Sequence, residues 1–293
     1  MRGHTWVVLV LVAVVTAGWA AVEQELKPYV MASVPTGTIA EHSDIVRQAV
    51  AAQGFAVVGS YKPYDGAEIL VVTSDDLKQT AAQSPFGGYG ATLRVSLTQV
   101  GDHVQIAYTS PAYIANVYRL QGNHEVAAGK LRAALGWQKE FGSKAGIKAE
   151  KLRNYHYTIM MPYFDDQEEL AQHASFAQAA AAVEAGLAAN VAGTEKIYRV
   201  DVGAQSALFG VALRQGNGAD VKVMENCDQQ DLKHTAYMPY EILVSGGRAY
   251  ALPGKFRIAI SFPDLSMPTF MKISRAPGAI KNALQDVAET EIP

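Results

Sequence analysis

The sequence predicts an α+β fold made of two related domains, in each of which a curved, mainly antiparallel sheet packs against helices. Segments with a helical apolar period alternate with short segments of alternating period, which is typical of mixed structure. Glycine-rich turns join neighbouring strand segments, as in antiparallel hairpins. The order helix, strand, strand, hairpin, proline, helix occurs twice, which indicates an internal duplication.

In the first half, apolar residues at helical spacing predict a helix that Ser43 or Asp44 would cap and Gly54 would end. Gly87 to Gly90 form a glycine loop that leads into a strand, so we interpret it as a flexible loop and not as a phosphate cradle. The predicted elements are a helix over 45–53, strands over 55–60 and 69–73, a helix over 76–83, a hairpin over 93–97 and 104–108, and a helix over 127–135.

The second half repeats this order. One segment of the second half, FRIAISFPDLSMPTF, is similar to the first-half segment VQIAYTSPAYIANVY. This similarity predicts a strand over 257–262 that ends at Pro263. The other predicted elements are helices over 176–189 and 279–288 and strands over 195–202, 208–213 and 240–244. The predicted organisation is a signal peptide over 1–20, a first domain over 38–135, a linker over 136–157 and a second domain over 158–293.

The first twenty residues have the three parts of an export signal. Arg2 supplies positive charge, residues 6–15 form a short apolar run, and Gly18 and Ala20 are small, so we expect cleavage after Ala20. An uncleaved anchor is the alternative. The sequence therefore predicts a mature protein in the periplasm or outside the cell, with no membrane span after cleavage.

Composition and motifs argue against several functional classes. The formal net charge of −3 does not suit nucleic-acid binding. The patterns G-x-S-x-G, S-x-x-K, H-E-x-x-H and C-x-x-C are absent, which favours a non-enzymatic protein. Cys227 is the single cysteine and cannot form an internal disulfide. We expect it to be a buried small hydrophobe, and the alternatives are pairing between chains or holding a ligand.

Three stretches of the first half resemble the domain-of-unknown-function 302 family: VRQAVAAQGFAVVGSY, EILVVTSDDLKQTAAQSPFGGYGATLRVSL and DHVQIAYTSPAYI. The resemblance covers residues 38–135, and more weakly 176–287 through MPYEILVSGGRAYAL and FRIAISFPDLSM. It implies a curved antiparallel sheet packed against helices. It also implies a pseudo-dimeric monomer, because members of the family are often small homodimers.

The same resemblance brings no agreed activity. Many members carry cysteine after the short buried strand and before the hairpin strand. Here those places hold Thr73 with Ser74, and Ala91 or Glu241, which puts a thiol-based role in doubt.

Aromatic residues of the second half are candidates for a binding site. We expect an apolar pocket between the halves, where clefts commonly form, for a small apolar or aromatic ligand or a protein partner. The candidate ligand-binding residues are Tyr113, Tyr237, Tyr240, Phe262 and Phe270.

The alternative is a copper or haem accessory protein. Imidazole and thioether ligands suit Cu(I) and haem. The candidate ligands are His234, Met238, Met267 and Met271, although methionines more often fill cores. A third hypothesis is an enzyme with an unrecognised site, which a buried acid and base with shifted pKa values would favour.

Overall fold

The computed structural model of the chain describes residues 25–122 and 124–292. It confirms the predicted α+β class, because helices pack against sheets whose strand pairs are all antiparallel. The predicted signal peptide over 1–20 lies outside the described residues. Within them, no helix combines the length and the apolar character that crossing a membrane requires.

The first half contributes a six-stranded sheet. Its strands and the two short strands of a separate pair are β1 Glu25–Leu26, β2 Tyr29–Ser33, β3 Ala56–Tyr61, β4 Ala67–Thr73, β5 Leu93–Val100, β6 His103–Thr109, β7 Lys139–Phe141 and β8 Ile147–Lys148. The order in the large sheet is β3-β4-β5-β6-β2-β7, and β1 pairs with β8. The helices are α1 Ile39–Ala52, α2 Asp75–Ala82, α3 Pro111–Val117, α4 Glu125–Leu135 and α5 Ala149–Arg153, with a 3-10 helix at Gly87–Ala91.

The second half contributes a five-stranded sheet of order β10-β11-β12-β13-β9. Its strands are β9 Glu168–Gln172, β10 Thr194–Asp201, β11 Ser206–Leu213, β12 Tyr240–Ser245 and β13 Arg248–Ala251. The helices are α6 Phe176–Ala188, α7 Asp220–Cys227, α8 Gly254–Ser261, α9 Met267–Lys272 and α10 Ala276–Ala288, with 3-10 helices at Val191–Gly193 and Thr235–Tyr237.

The two sheets repeat one topology. The order β10-β11-β12-β13-β9 matches β3-β4-β5-β6-β2 position by position, and in each half a helix follows the first strand. Both central hairpins turn through two residues, between Val100 and His103 and between Ser245 and Arg248. This correspondence supports the internal duplication.

The predicted strand over 257–262 is wrong. These residues lie in α8 and its C-terminal end, and the last strand of the hairpin is β13, directly after the Gly246-Gly247 turn. Every residue from Phe256 to Phe262 is buried, so burial does not mark one face of the helix. Apolar side chains at 256, 258, 260 and 262 recur at every second position, which imitates the period of a strand. The counterpart of α8 in the first half is therefore α3, which also follows the hairpin.

The helix α1 begins earlier than predicted. Its N-cap is Thr38 instead of Ser43 or Asp44, and the Thr38 hydroxyl accepts from the backbone N–H of Glu41. The Glu41 carboxylate in turn accepts from the Thr38 N–H at 2.6 Å, which completes a capping box. Gly54 ends the segment as predicted, with a φ of +81°.

The expected flexible loop at Gly87 to Gly90 is instead a buried 3-10 helix. It packs against β11 and β12 of the other half, while the 3-10 helix Thr235–Tyr237 packs against β5 and β6. A Cβ at Gly88 would clash with the Leu243 side chain, so small residues permit this close packing. One hydrophobic cluster runs through both halves as a result.

Residues between the sheets are ordered parts of the fold. β7 extends the first sheet from within the predicted linker over 136–157, and β2 extends it from before residue 38. Leu152 of α5 is 1% exposed. Tyr155 and Tyr157 donate hydrogen bonds to the carbonyls of Ala259 and Leu265, which attach the linker to the second half.

Candidate functional site

A groove of about 490 Å³ lies where the end of the first sheet meets the second half. This volume is within the range of small-molecule sites. One side comes from residues near β7 and the other from the loops around α7 and α8. Its lining includes Lys27, Lys139, Phe141, Lys144, Cys227, Asp231, His234, Phe262, Asp264 and Leu265.

His234 is a neutral imidazole set among aromatic rings. Its ring stacks on Phe262 at 4.9 Å between centroids and also contacts Tyr29 and Phe141. Nδ1 lies 3.1 Å from the carbonyl oxygen of Ser261, which can only accept, so Nδ1 carries the proton. Burial lowers the pKa of His234 to about 4. Nε2 is therefore an acceptor at neutral pH, and no described residue binds it.

Asp228 holds the main chain of His234 and not its ring. Its Oδ2 accepts from the His234 backbone N–H at 2.9 Å, and its buried Oδ1 has no hydrogen-bond partner. Burial raises the pKa of Asp228 to about 7. Asp228 and His234 are therefore a buried acid and a buried base with shifted pKa values. The Asp228 carboxylate does not hydrogen-bond the His234 ring, however, so it does not orient the imidazole as the acid of a catalytic triad does.

Cys227 is buried, as predicted, and it also lines the groove. Burial raises the pKa of its thiol to about 12, so the thiol stays protonated at neutral pH. Nucleophilic attack and metal binding both use the thiolate. The arrangement is thus better suited to binding than to thiol chemistry.

An apolar pocket adjoins the groove across Phe262. It leaves about 50 Å³ of free space, enough for a small apolar group. Phe262 and Leu265 line both the pocket and the groove. The other apolar residues around it are Tyr157, Met161, Ile258, Ala259, Met267 and Phe270.

The predicted ligand-binding residues fall into two groups. Phe262 and Phe270 line the apolar pocket. Tyr113, Tyr237 and Tyr240 are buried in the core. Tyr237 contacts Phe262 edge-on at 5.4 Å and donates to the Tyr240 hydroxyl at 2.8 Å. Tyr113 donates to the Ile260 carbonyl at 2.8 Å. These tyrosines therefore support α8 and Phe262 from the core.

The predicted metal ligands are dispersed. Met238 is completely buried in the core, while Met267 and Met271 on α9 are 53% and 62% exposed. Only His234 lines the groove. Over 25–122 and 124–292, no three His, Cys, Asp or Glu side chains gather as a metal-binding group.

Sequence reasoning missed the first-half side of the groove. Lys139, Phe141 and Lys144 belong to a stretch interpreted as linker. The signal available was the alternation in residues 139–141, which is too short to distinguish a strand from a loop.

Comparison with known proteins gives no relative. No protein-family model, no curated protein and no solved structure matches the chain. The resemblance to the domain-of-unknown-function 302 family accordingly stays a prediction.

Proposed function

We propose that this protein is an exported, non-enzymatic binding protein for a small apolar or aromatic ligand, held between its two related halves. The observation that carries the proposal is the position of Phe262, whose side chain lines both the groove and the apolar pocket. A ligand against this ring can bury an apolar group on one side and keep a polar group in the groove. The leader sequence supports export.

The groove defines the polar part of the ligand. The unbound Nε2 of His234 accepts a hydrogen bond, so a ligand with a hydroxyl or amide N–H suits it. Three lysines and three carboxylates line the groove, namely Lys27, Lys139, Lys144, Glu140, Asp231 and Asp264. This balance does not select for a strongly charged ligand. Contact with the apolar surface of Phe262 and Leu265 then supplies most of the binding free energy.

A fluorescence titration with anilinonaphthalenesulfonate, an aromatic probe, tests the site. We expect saturable binding to the mature protein and its loss in Leu265→Asp, because the carboxylate would enter the apolar pocket. Leu265 is only partly buried, so the variant should keep its circular dichroism spectrum. Ile45→Ala, an exposed apolar site on α1, is the matched control. Equal binding by the wild type and Leu265→Asp would refute the site.

A protein partner is the second candidate, and one surface feature favours it. Ile159 and Met160 are 84% and 96% exposed, next to residues that line the apolar pocket. Isolated exposed apolar residues are ordinary, but two adjacent ones at a pocket rim favour contact with another surface. Replacing both with Ser would weaken a protein complex in co-purification and leave probe binding unchanged.

A further inference from the structure

Two arginines meet in the core where the halves join. Arg94 of β5 and Arg257 of α8 are 1% and 3% exposed. Glu241 of β12 lies between them, with Oε1 2.5 Å from Arg94 Nη2 and Oε2 4.0 Å from Arg257 Nη2. One carboxylate therefore faces two guanidinium groups, which stay protonated in proteins.

Arg94, Arg257 and Glu241 together carry one net positive charge, and neighbouring groups do not neutralise it. Arg257 donates to neutral acceptors, the Tyr118 hydroxyl and the carbonyls of Tyr237 and Pro239. Burial raises the pKa of Tyr29 far above neutrality, so its hydroxyl is uncharged. Two further acids act on these tyrosines, Asp228 on Tyr29 and Asp220 on Tyr237. Burial raises the pKa of Asp220 to about 8 and that of Asp228 to about 7, so both are mostly protonated below pH 7.

Unsatisfied donors adjoin a cavity at this place. Arg94 Nε and the Tyr29 hydroxyl are buried without a hydrogen-bond partner, and Arg94 Nη2 contacts Glu241 without hydrogen-bond alignment. Arg94, Tyr29, Arg257 and Ser261 line a cavity that leaves about 10 Å³ for the centre of a water-sized sphere. That space is enough for one small species.

We propose that this cavity binds a single small monovalent anion of the halide class. Water would satisfy the donors but leave one positive charge uncompensated in the core, which is costly. An anion satisfies the Arg94 and Tyr29 donors and neutralises that charge. The free space of about 10 Å³ favours a monatomic ion over sulfate or an organic carboxylate. The cavity shares no lining residue with the groove, although Tyr29 contacts His234. The proposal does not rest on the function proposed above.

Crystals of the mature protein grown in sodium bromide test the site directly. We expect an anomalous bromine peak within hydrogen-bond distance of Arg94 and Tyr29. Water density without an anomalous peak in the cavity would overturn the proposal.

Thermal unfolding gives a second readout. At constant ionic strength, replacing gluconate with chloride should raise the Tm saturably. In Tyr29→Phe, which keeps the charges and removes one donor, the half-saturating chloride concentration should rise about tenfold or more. Arg94→Met should lose the chloride effect, while the exposed control Arg248→Met keeps it. Equal chloride dependence in all four proteins would contradict the proposal.

Discussion

At the scale of single residues, the Arg94–Glu241 ion pair places two opposite charges in the buried core. Both side chains are 1% exposed, and Tyr198 also donates to Glu241 at 2.7 Å. The pair joins β5 to β12 and therefore one half to the other. Removing one partner leaves buried charge unpaired, which costs more than the loss of a surface pair.

Glu241→Gln should therefore lower the free energy of unfolding by about 3–5 kcal/mol, measured by urea denaturation. The control is Glu169→Gln, since Glu169 and Arg248 form a half-exposed pair at 3.7 Å. Its loss should stay below about 1 kcal/mol. An equal loss of unfolding free energy in the two variants would show that Glu241 does not stabilise the buried charges of Arg94 and Arg257.

Asp220 makes stability depend on pH. It is fully buried, Oδ1 accepts from the Leu213 N–H, and Oδ2 has no partner. Burial raises its pKa to about 8 from an ordinary value of 3.8. Between those values the folded state keeps a proton that the unfolded state has lost, so the Asp220 contribution to the free energy of unfolding falls as pH rises.

Asp220→Asn keeps an acceptor for Leu213 and removes this titration. From pH 5 to pH 7 the wild type should lose stability relative to the variant by up to about 1.4 kcal/mol per pH unit. Denaturant midpoints across this range measure the difference. The exposed Asp65→Asn is the control. If the two variants follow the same pH dependence as the wild type, Asp220 is ionised in the folded protein.

Among single residues, the sequence placed Phe262 and Phe270 in a predicted ligand site and His234 in a predicted metal site. Phe262 and Phe270 line the apolar pocket, and His234 lines the groove. The sequence offered these residues on composition alone. It did not distinguish them from Tyr113 and Tyr237, because aromatic side chains in a core and in a pocket have the same composition signal. Only tertiary packing separates the two groups.

At the scale of elements, the 3-10 helix Gly87–Ala91 packs closely on α2 and also contacts β11 and β12 of the other half. A Cβ at Gly87 would clash with the backbone carbonyl oxygen of Ala81, which has little freedom to move. Gly87→Ala should therefore destabilise the protein by about 1–3 kcal/mol.

The matched control is Gly129→Ala in α4, where an added Cβ meets no atom within 4 Å. Alanine there should stabilise by about 0.5–1 kcal/mol, because glycine is unfavourable inside a helix. Thermal or urea denaturation measures both. Destabilisation of the two variants by the same amount would argue against close packing of the 3-10 helix.

Local chemistry explains which elements could be predicted. The predicted end of α1 at Gly54 was correct because glycine adopts the left-handed conformation after a helix without steric cost. The capping box of Thr38 and Glu41 was present in the sequence and was missed. α8 was mistaken for a strand because its apolar residues at 256, 258, 260 and 262 recur at every second position, the period of a strand.

At the scale of the whole molecule, the continuous core predicts cooperative unfolding. The cluster joins both sheets, and the 3-10 helices Gly87–Ala91 and Thr235–Tyr237 each pack on the sheet of the other half. Amides in the centres of β4 and β11 should therefore exchange with the same free energy of opening, measured by native-state hydrogen exchange. A lower free energy of opening for all the amides of one sheet would mean that the two halves unfold separately.

The repeated order of elements was predictable because each half carries its own turns and helix ends. The groove was not, since it forms where β7 and the loops of the second half meet, far apart in sequence. A single sequence records local periods and does not record such long-range contacts.

Native mass spectrometry of the mature protein, purified from its own host, tests the proposed binding function most directly. We predict a bound organic molecule in the wild type, released on denaturation and absent from Leu265→Asp. A bare protein mass from the host would contradict it. So would a bound metal or haem as the only ligand, or an organic mass that Leu265→Asp retains.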